Sequence, residues 1–356
     1  MRRPAARIAP LALLALIAPW AALVGLAPAR AETASPKELC MGRTSTLDQR
    51  FAGCTALIEA KGETRETGRT LAMALCNRGY VLTEQKQYEK ALADLDAGIA
   101  ADATYPCLYS NRGRAYGFLG DFDKAIADYD KALALDPNFA LAYNNRGDAF
   151  AHKNDFDRAI ADFTTALRID PKNAATYGNR ADAWRHKGDA QHAIEDLTAE
   201  IALAPTANAF LNRGNAFRDT NQLDRAIADY TVIVDNAPDD ARGWRNRGLI
   251  RLMKNDVASA LADYNRAIKL DPNDAFSYSN RGIAYWKRKQ YDRAIADFDA
   301  ALKLDPKLAL VHVNRGSALQ NKGDRAGAVA EYRAALAITP DCKPALDNLA
   351  KIGVKP

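Results

Sequence analysis

Eight asparagines stand at near-constant intervals along this chain: Asn77, Asn111, Asn145, Asn179, Asn212, Asn246, Asn280 and Asn314. The interval is 34 residues, with a single 33 between Asn179 and Asn212. A side-chain amide carries two donors and an acceptor, so it pairs with any main-chain peptide group whatever side chain that group bears. Each asparagine is followed by an arginine, and each arginine by an acid sixteen positions on. The pairs are Arg78 and Asp94, Arg112 and Asp128, Arg146 and Asp162, Arg180 and Asp196, Arg213 and Asp229, Arg247 and Asp263, Arg281 and Asp297, and Arg315 and Glu331. Unpartnered arginines would make an anion-binding row. Because the acid recurs in every copy, these are expected to be structural ion pairs, strongest where bidentate and partly buried.

Little else in the chain could do chemistry. The four histidines, His152, His186, His192 and His312, lack metal-ligand spacing with one another or with cysteine. The glycines recur one per copy and form no phosphate loop. No Ser-His-Asp or Cys-His set stands apart from the repeat, so no catalytic residue, metal or cofactor is expected. Residues 1–31 read separately. Arg2, Arg3 and Arg7 precede an apolar run from Ile8 to Leu26, and Ala29-Arg30-Ala31 has the small-x-small form of a cleavage site. A signal peptide is expected at 1–31, leaving Glu32 as the N-terminus. The rival is a retained anchor, since about nineteen apolar residues approach a membrane span. Removing the leader's four arginines from 49 basic side chains leaves 45 against 44 acids, a net charge of +1. That balance offers no clustered basic face for phosphate, so nucleic acid is not an expected partner.

A 34-residue period needs a structural unit that repeats with it. Tyr109, Gly113 and Tyr116 fall at helical spacing and Gly120 interrupts. Asp121 offers an N-cap, and Ala125, Ile126, Tyr129, Ala132 and Leu133 form a second stripe. Pro137 closes it, because the residue before proline is pushed out of the α region. Each copy is therefore expected to be a hairpin of two helices. The turn holds Gly120, Asn154, Gly188, Asn221, Asn255 or Gly323, which tolerate a left-handed conformation, while Lys86 and Lys289 depart from this. Small residues such as Gly113 and Gly147 are expected to let the first helix approach alanines of the second, such as Ala125 and Ala159. Eight copies tile residues 71–340. An extension with one extra helix occupies 32–70, and a capping helix occupies 341–356.

The order Tyr109, Gly113, Tyr116, Ala125, Tyr129, Ala132, Pro137 returns as Tyr278, Gly282, Tyr285, Ala294, Phe298, Ala301, Pro306. It resembles the tetratricopeptide repeat family. Arg251 departs from the pattern where an aromatic is usual, Ile233 where a small residue is usual, and one residue is missing after Pro205. The resemblance implies an all-α, right-handed superhelical α-solenoid of helix-turn-helix repeats. It also implies a concave groove, lined by the first helices, that binds an extended peptide through the eight asparagines. Selectivity would come from the same face. Arg185, Arg218, Arg242 and Arg245 would favour acidic side chains, and an apolar run of Leu249, Leu252, Met253, Ile283 and Trp286 would take a hydrophobic anchor. Leu252 is alternatively a core residue standing in where Arg251 has displaced an aromatic.

The expected function is a non-catalytic interaction scaffold with a protein or peptide partner. One alternative is an architectural subunit of an envelope complex that uses its outer face and ends. The other is a nucleic-acid-binding helical repeat, against which the charge balance argues. The cysteines Cys40, Cys54, Cys76, Cys107 and Cys342 suit an exported chain, periplasmic or secreted. Cys40 with Cys54 is the first candidate disulfide and Cys76 with Cys107 the second. Once the leader is removed, no membrane span is expected.

Overall fold

A computed structural model describes residues 34–62 and 66–356, so the leader at 1–31 lies outside the described residues. Among the described residues there are nineteen α-helices and no strand. Helices α1 (Pro36–Met41) and α2 (Leu47–Glu59) precede eight hairpins. The first three hairpins are α3 (Gly68–Glu84) with α4 (Tyr88–Ala101), α5 (Pro106–Phe118) with α6 (Phe122–Leu135), and α7 (Ala140–His152) with α8 (Phe156–Ile169). Next come α9 (Ala174–His186) with α10 (Ala190–Leu203), α11 (Ala207–Asp219) with α12 (Leu223–Asn236), and α13 (Ala241–Met253) with α14 (Val257–Leu270). The series ends with α15 (Ala275–Lys287) and α16 (Tyr291–Leu304), then α17 (Ala309–Lys322) and α18 (Arg325–Ile338). Helix α19 (Lys343–Lys351) follows. The architecture is an α-solenoid.

The hairpin turns explain the punctuation. All eight turn residues have positive φ, from 57° at Asn221 to 92° at Gly323, and Lys86 and Lys289 adopt it as well, at 60° and 59°. For a residue with a Cβ this conformation costs about 1–2 kcal/mol. The next residue starts the second helix. Asp121, Asp155, Asp189, Asp256 and Asp324 each accept a hydrogen bond from the amide three residues on, whereas Gln87, Gln222 and Gln290 do not.

The small residues meet more than alanines. A Cβ on Gly214 would lie 2.6 Å from the Tyr230 ring, and one on Gly282 2.6 Å from the Phe298 ring. At Gly113 the second helix supplies both the Ala125 carbonyl at 2.9 Å and the Tyr129 ring at 3.0 Å. Copy four trades volume across this contact. The small residue grows to Ala181 and the facing ring shrinks to Leu197, both buried in one cluster.

A second exchange accounts for Arg251. In five copies an aromatic on the first helix meets a cation or imidazole on the second: Tyr116 with Lys124, Phe150 with Arg158, Trp184 with His192, Phe217 with Arg225, and Tyr285 with Arg293. In copy six the cation has moved to the first helix as Arg251, and the second helix carries Ser259. Leu252 is 5 % exposed and packs with Leu261, Tyr264 and Ala284, so it belongs to the core and not to the groove.

Consecutive first helices touch one another along most of the array, most extensively between α3 and α5. Consecutive second helices do not touch in this way, so the first helices form the inner face. At the N-terminal end, α1 is an element the sequence reading did not include. Its signal was present: Ser35 and Glu38 form a capping box around Pro36. Disulfides join Cys40 on α1 to Cys54 on α2, and Cys76 on α3 to Cys107 on α5, while Cys342 is free and buried. Helix α19 buries Ala345 and Leu349 against the last hairpin, with Leu346 and Ile352 half-buried. No helix among the described residues is long and apolar enough to cross a membrane.

Candidate binding groove

The arginine after each asparagine is engaged within the chain and locks three helices together. Arg146 donates from Nε and Nη2 to Asp162 at 2.7 and 2.8 Å, and from Nη1 to Asp130 on the preceding hairpin at 2.5 Å. Arg112 does the same with Asp128 and Asp96, and Arg281 with Asp297 and Asn265. The carboxylates raise the Arg112, Arg146 and Arg281 pKa above the ordinary guanidinium value, with the Asp128, Asp162 and Asp297 hydrogen bonds the largest cause in each case. Each guanidinium also lies over a first-helix aromatic, Tyr109, Tyr143 or Tyr278, at 5.4–5.7 Å. The acceptor sixteen residues before the arginine escaped the sequence reading because its identity drifts: Asp96, Asp130, Thr164, Asn265 and Asp299 all serve.

Copies six and eight modify the lock. In copy six Asp263, 1 % exposed, accepts from both Arg247 and Arg251. In copy eight the longer Glu331 gives one oxygen to Arg315 and the other to His312, which leaves Arg315 Nε buried without a partner.

The eight asparagines divide into two groups. In copies one to four the amide is already engaged. Asn77 donates to the Cys40 carbonyl at 3.1 Å, and Asn111 to the Cys76 carbonyl at 3.2 Å. Asn145 accepts from Asn144, whose own Oδ1 receives Asn179. Among the described residues, the side chains of Asn212, Asn246, Asn280 and Asn314 make no hydrogen bond, although Asn246 is only 9 % exposed. For Asn212 and Asn246 the preceding first helix offers no side-chain acceptor: Gly178 and Leu211 stand where Asn144 stands for Asn179.

The groove arginines are not free. Arg185 pairs with Asp182 at 3.1 Å, Arg218 with Asp219 at 2.8 Å, Arg242 with Asp240 at 2.7 Å and Arg245 with Asp274 at 3.1 Å. Three of those acids lie within three residues of their arginine, a signal the sequence already held. The apolar residues, by contrast, remain open. Met253 is 51 % and Trp286 38 % exposed, and Leu249 and Ile283 are half-buried. The structure adds Phe276 and Leu310, 58 % and 60 % exposed, each four residues before its asparagine and so on the same helical face. A small cleft between α15 and α17 brings Ile283, Trp286, Phe298, Asn314 and Ser317 together, so an unpaired amide and the aromatic anchor share one site.

Further toward the N-terminus the inner face is occupied by its own side chains. His152 stacks on Phe122 and His186 on Phe156, both with centroids 4.8 Å apart, and the two imidazoles sit 3.7 and 3.5 Å from Asp148 and Asp182. Burial pushes the Asp148 pKa up, opposed by His152. No group of three or more metal-binding side chains occurs among the described residues.

The tetratricopeptide repeat profile matches residues 110–174, 153–208, 211–275, 275–308 and 309–342, well over half of the chain. No curated protein matches the sequence. A tetratricopeptide repeat protein from Parabacteroides merdae ATCC 43184 superposes with a TM-score of 0.56 at 19 % identity, covering 68 % of this chain and 96 % of that one. The APC/C hetero-tetramer Cut9–Hcn1 gives 0.53 at 18 % identity over 86 % and 83 % of the two chains. PilW, a type IV pilus biogenesis factor, gives 0.53 at 17 % identity over 59 % and 98 %. At these identities the likeness is one of fold. Repeat profile, hairpin geometry and the sixteen-residue ion pair agree, and the chain belongs to the tetratricopeptide repeat family.

Proposed function

We propose that this chain is an exported, non-catalytic scaffold that binds an extended polypeptide segment along the first helices of copies five to eight. Tetratricopeptide repeats generally mediate protein–protein interaction, and the narrower reading rests on one coincidence. Four consecutive unpaired amides, Asn212, Asn246, Asn280 and Asn314, lie in the stretch that exposes Met253, Phe276, Trp286 and Leu310. None of these four amides is sealed from solvent, so each is open to a ligand's main chain. Packed helices lie about 8–10 Å apart, and an extended chain rises about 3.1–3.4 Å per residue. Successive asparagines would therefore meet the ligand main chain about every third residue. Two disulfides support export, being suited to an oxidising compartment. In this reading the groove asparagines of copies one to four act within the chain.

Peptides selected from a random display library against the full chain test the reading. Paired Asn246→Ala and Asn280→Ala changes should weaken different selected peptides alike, and Trp286→Ala should cost about 2 kcal/mol or more of binding. If Trp286→Ala lowers the melting temperature sharply while affinity holds, Trp286 is core and the architectural reading replaces this one. Export is checked separately by N-terminal sequencing, with Glu32 expected as the first residue.

A further inference from the structure

We propose that the segment taken by this groove carries an acidic cluster beside its apolar anchor, read by the three consecutive cations Lys287, Arg288 and Lys289. The proposal rests on the peptide-groove reading above and adds the chemistry of the ligand. The groove arginines expected from sequence to select acids are each neutralised within the chain. The cations that follow Trp286 are not.

The array itself shows what is missing at Arg288. In four other copies the lysine at the equivalent turn position pairs with an aspartate thirty residues earlier: Lys153 with Asp123, Lys187 with Asp157, Lys254 with Asp224, and Lys322 with Asp292. Thirty residues before Arg288 stands Ala258, and among the described residues Arg288 has no acid partner. Lys289 then occupies the left-handed turn position at φ 59°, which glycine or asparagine fills in six of the eight copies. A charged residue is held there despite the backbone cost. Lys287 has one contact, a long 3.4 Å bond to the Asn255 side chain. All three are exposed and directly follow an exposed tryptophan. One missing acid, one cation at a strained position and the adjoining aromatic together make a basic edge to an apolar site. Acidic side chains next to a hydrophobic residue complement it.

The test uses three fluorescein-labelled peptides of about twelve residues, long enough to span four helices. They share leucine or phenylalanine at every third position and end in Asp-Glu-Asp, Ser-Gln-Ser or Lys-Arg-Lys. Anisotropy titrations of the full chain should give the acidic peptide at least about a tenfold advantage over the basic one, shrinking as salt rises from about 0.1 to 0.5 M. Ala258→Asp restores the acid that faces Arg288 in the other copies and adds a favourable charge to the first turn of α14. Lys289→Gly removes a cation and relieves the turn. Each change should leave the fold intact, and combined they should reduce the acidic advantage to less than about threefold. Equal binding of all three peptides, weakened alike by Trp286→Ala, overturns the acidic preference and leaves the groove reading standing. An acidic advantage that survives Ala258→Asp with Lys289→Gly overturns the assignment to these cations. Failure of every peptide to bind overturns both readings, and capture on phosphatidylglycerol vesicles would then assign the edge to a lipid surface.

Discussion

Replacing Asp263 with alanine should be the most damaging single change in copy six. Its carboxylate accepts from Arg247 Nε at 3.1 Å, Arg247 Nη2 at 2.8 Å and Arg251 Nη1 at 2.7 Å. The Asp263 side chain is 2 % exposed, and those of Arg247 and Arg251 are 9 % and 25 %. Removing one partner of a buried pair costs about 3–5 kcal/mol, because the remaining charge stays desolvated. Here two cations remain. Guanidinium groups that share a carboxylate lie roughly 5 Å apart, and at an effective dielectric near 20 their repulsion adds about 3 kcal/mol before relaxation. The loss should reach the upper end of the range. Asp297→Ala in copy seven removes the acid from one arginine only, and Arg281 keeps its bond to Asn265. That change should cost nearer 3 kcal/mol.

Native-state hydrogen exchange is the suitable assay, because a nearest-neighbour array opens in parts and a single unfolding free energy is ill-defined. The opening free energy of α13 and α14 should fall more in Asp263→Ala than that of α15 and α16 in Asp297→Ala. Adding Arg251→Tyr to Asp263→Ala should recover at least about 1 kcal/mol, since it removes one stranded cation. Equal losses in the two copies, or simple additivity of Arg251→Tyr with Asp263→Ala, would refute the shared-carboxylate account.

Other consequences are direct. Burial raises the Glu200 pKa, and Oε2 is buried without a partner, so ionisation of this group weakens the fold. Glu200→Gln should therefore raise the melting temperature at pH 7 and leave it unchanged below about pH 4, where the unfolded chain also holds the proton. The N-cap carboxylates of Asp121, Asp155, Asp189 and Asp256 have lowered pKa values because the residue three positions on donates to them. Their contribution is present above the unfolded value near about 3.9 and is lost as pH falls through the folded values, so Asp155→Asn should flatten the acid limb of a circular-dichroism melt series. Opening the Cys40–Cys54 loop should cost about 3 kcal/mol, and opening the longer Cys76–Cys107 loop somewhat more, on the loop-entropy estimate. Exchange under reductant should show the loss in α1 to α5, with α13 to α18 unchanged.

What the sequence revealed and what it hid follow from the range of each interaction. The hairpin was legible because its determinants are local or strictly periodic: the left-handed turn, the aspartate cap, the small residue on the first helix and the arginine with an acid sixteen residues on. The second acceptor of that arginine was hidden because any short polar side chain serves, from Asp130 to Thr164 to Asn265. The role of Arg251 was hidden because it is half of an exchange whose other half, Ser259, sits eight residues away and looks unremarkable alone. The groove asparagines looked alike because their sequence context is alike. What separates Asn179 from Asn246 is the residue on the preceding helix, Asn144 in one case and Leu211 in the other, thirty-five residues back.

That difference gives the array a polarity no single repeat carries. At one end the inner face is laced to itself. The Cys76–Cys107 disulfide joins α3 to α5, Asn77 reaches back to α1 and Asn111 to α3, and Asn144 gathers Thr176 and Asn179 across α7 and α9. Each such bond fixes the spacing between neighbouring first helices and removes a group that a ligand could use. From copy five onward the asparagine amides make no such bond, and Met253, Phe276, Trp286 and Leu310 are exposed. A binding segment gains most where polar groups are unsatisfied and apolar surface is exposed, and least where both are already spent. The two conditions coincide at Asn280 and Asn314, beside exposed Phe276, Trp286 and Leu310. The laced end keeps a preorganised frame to which the open end is continuous, so ordering losses on binding are confined to the ligand and a few side chains such as Met253 and Trp286. Transplanting an acceptor into the open end should therefore close it. Leu211→Asn would offer Asn246 the partner that Asn144 offers Asn179, at the cost of the packing Leu211 makes on the core, and should lower affinity for every peptide that uses the row. A folded variant that kept its affinity would mean that Asn246 takes no part in binding.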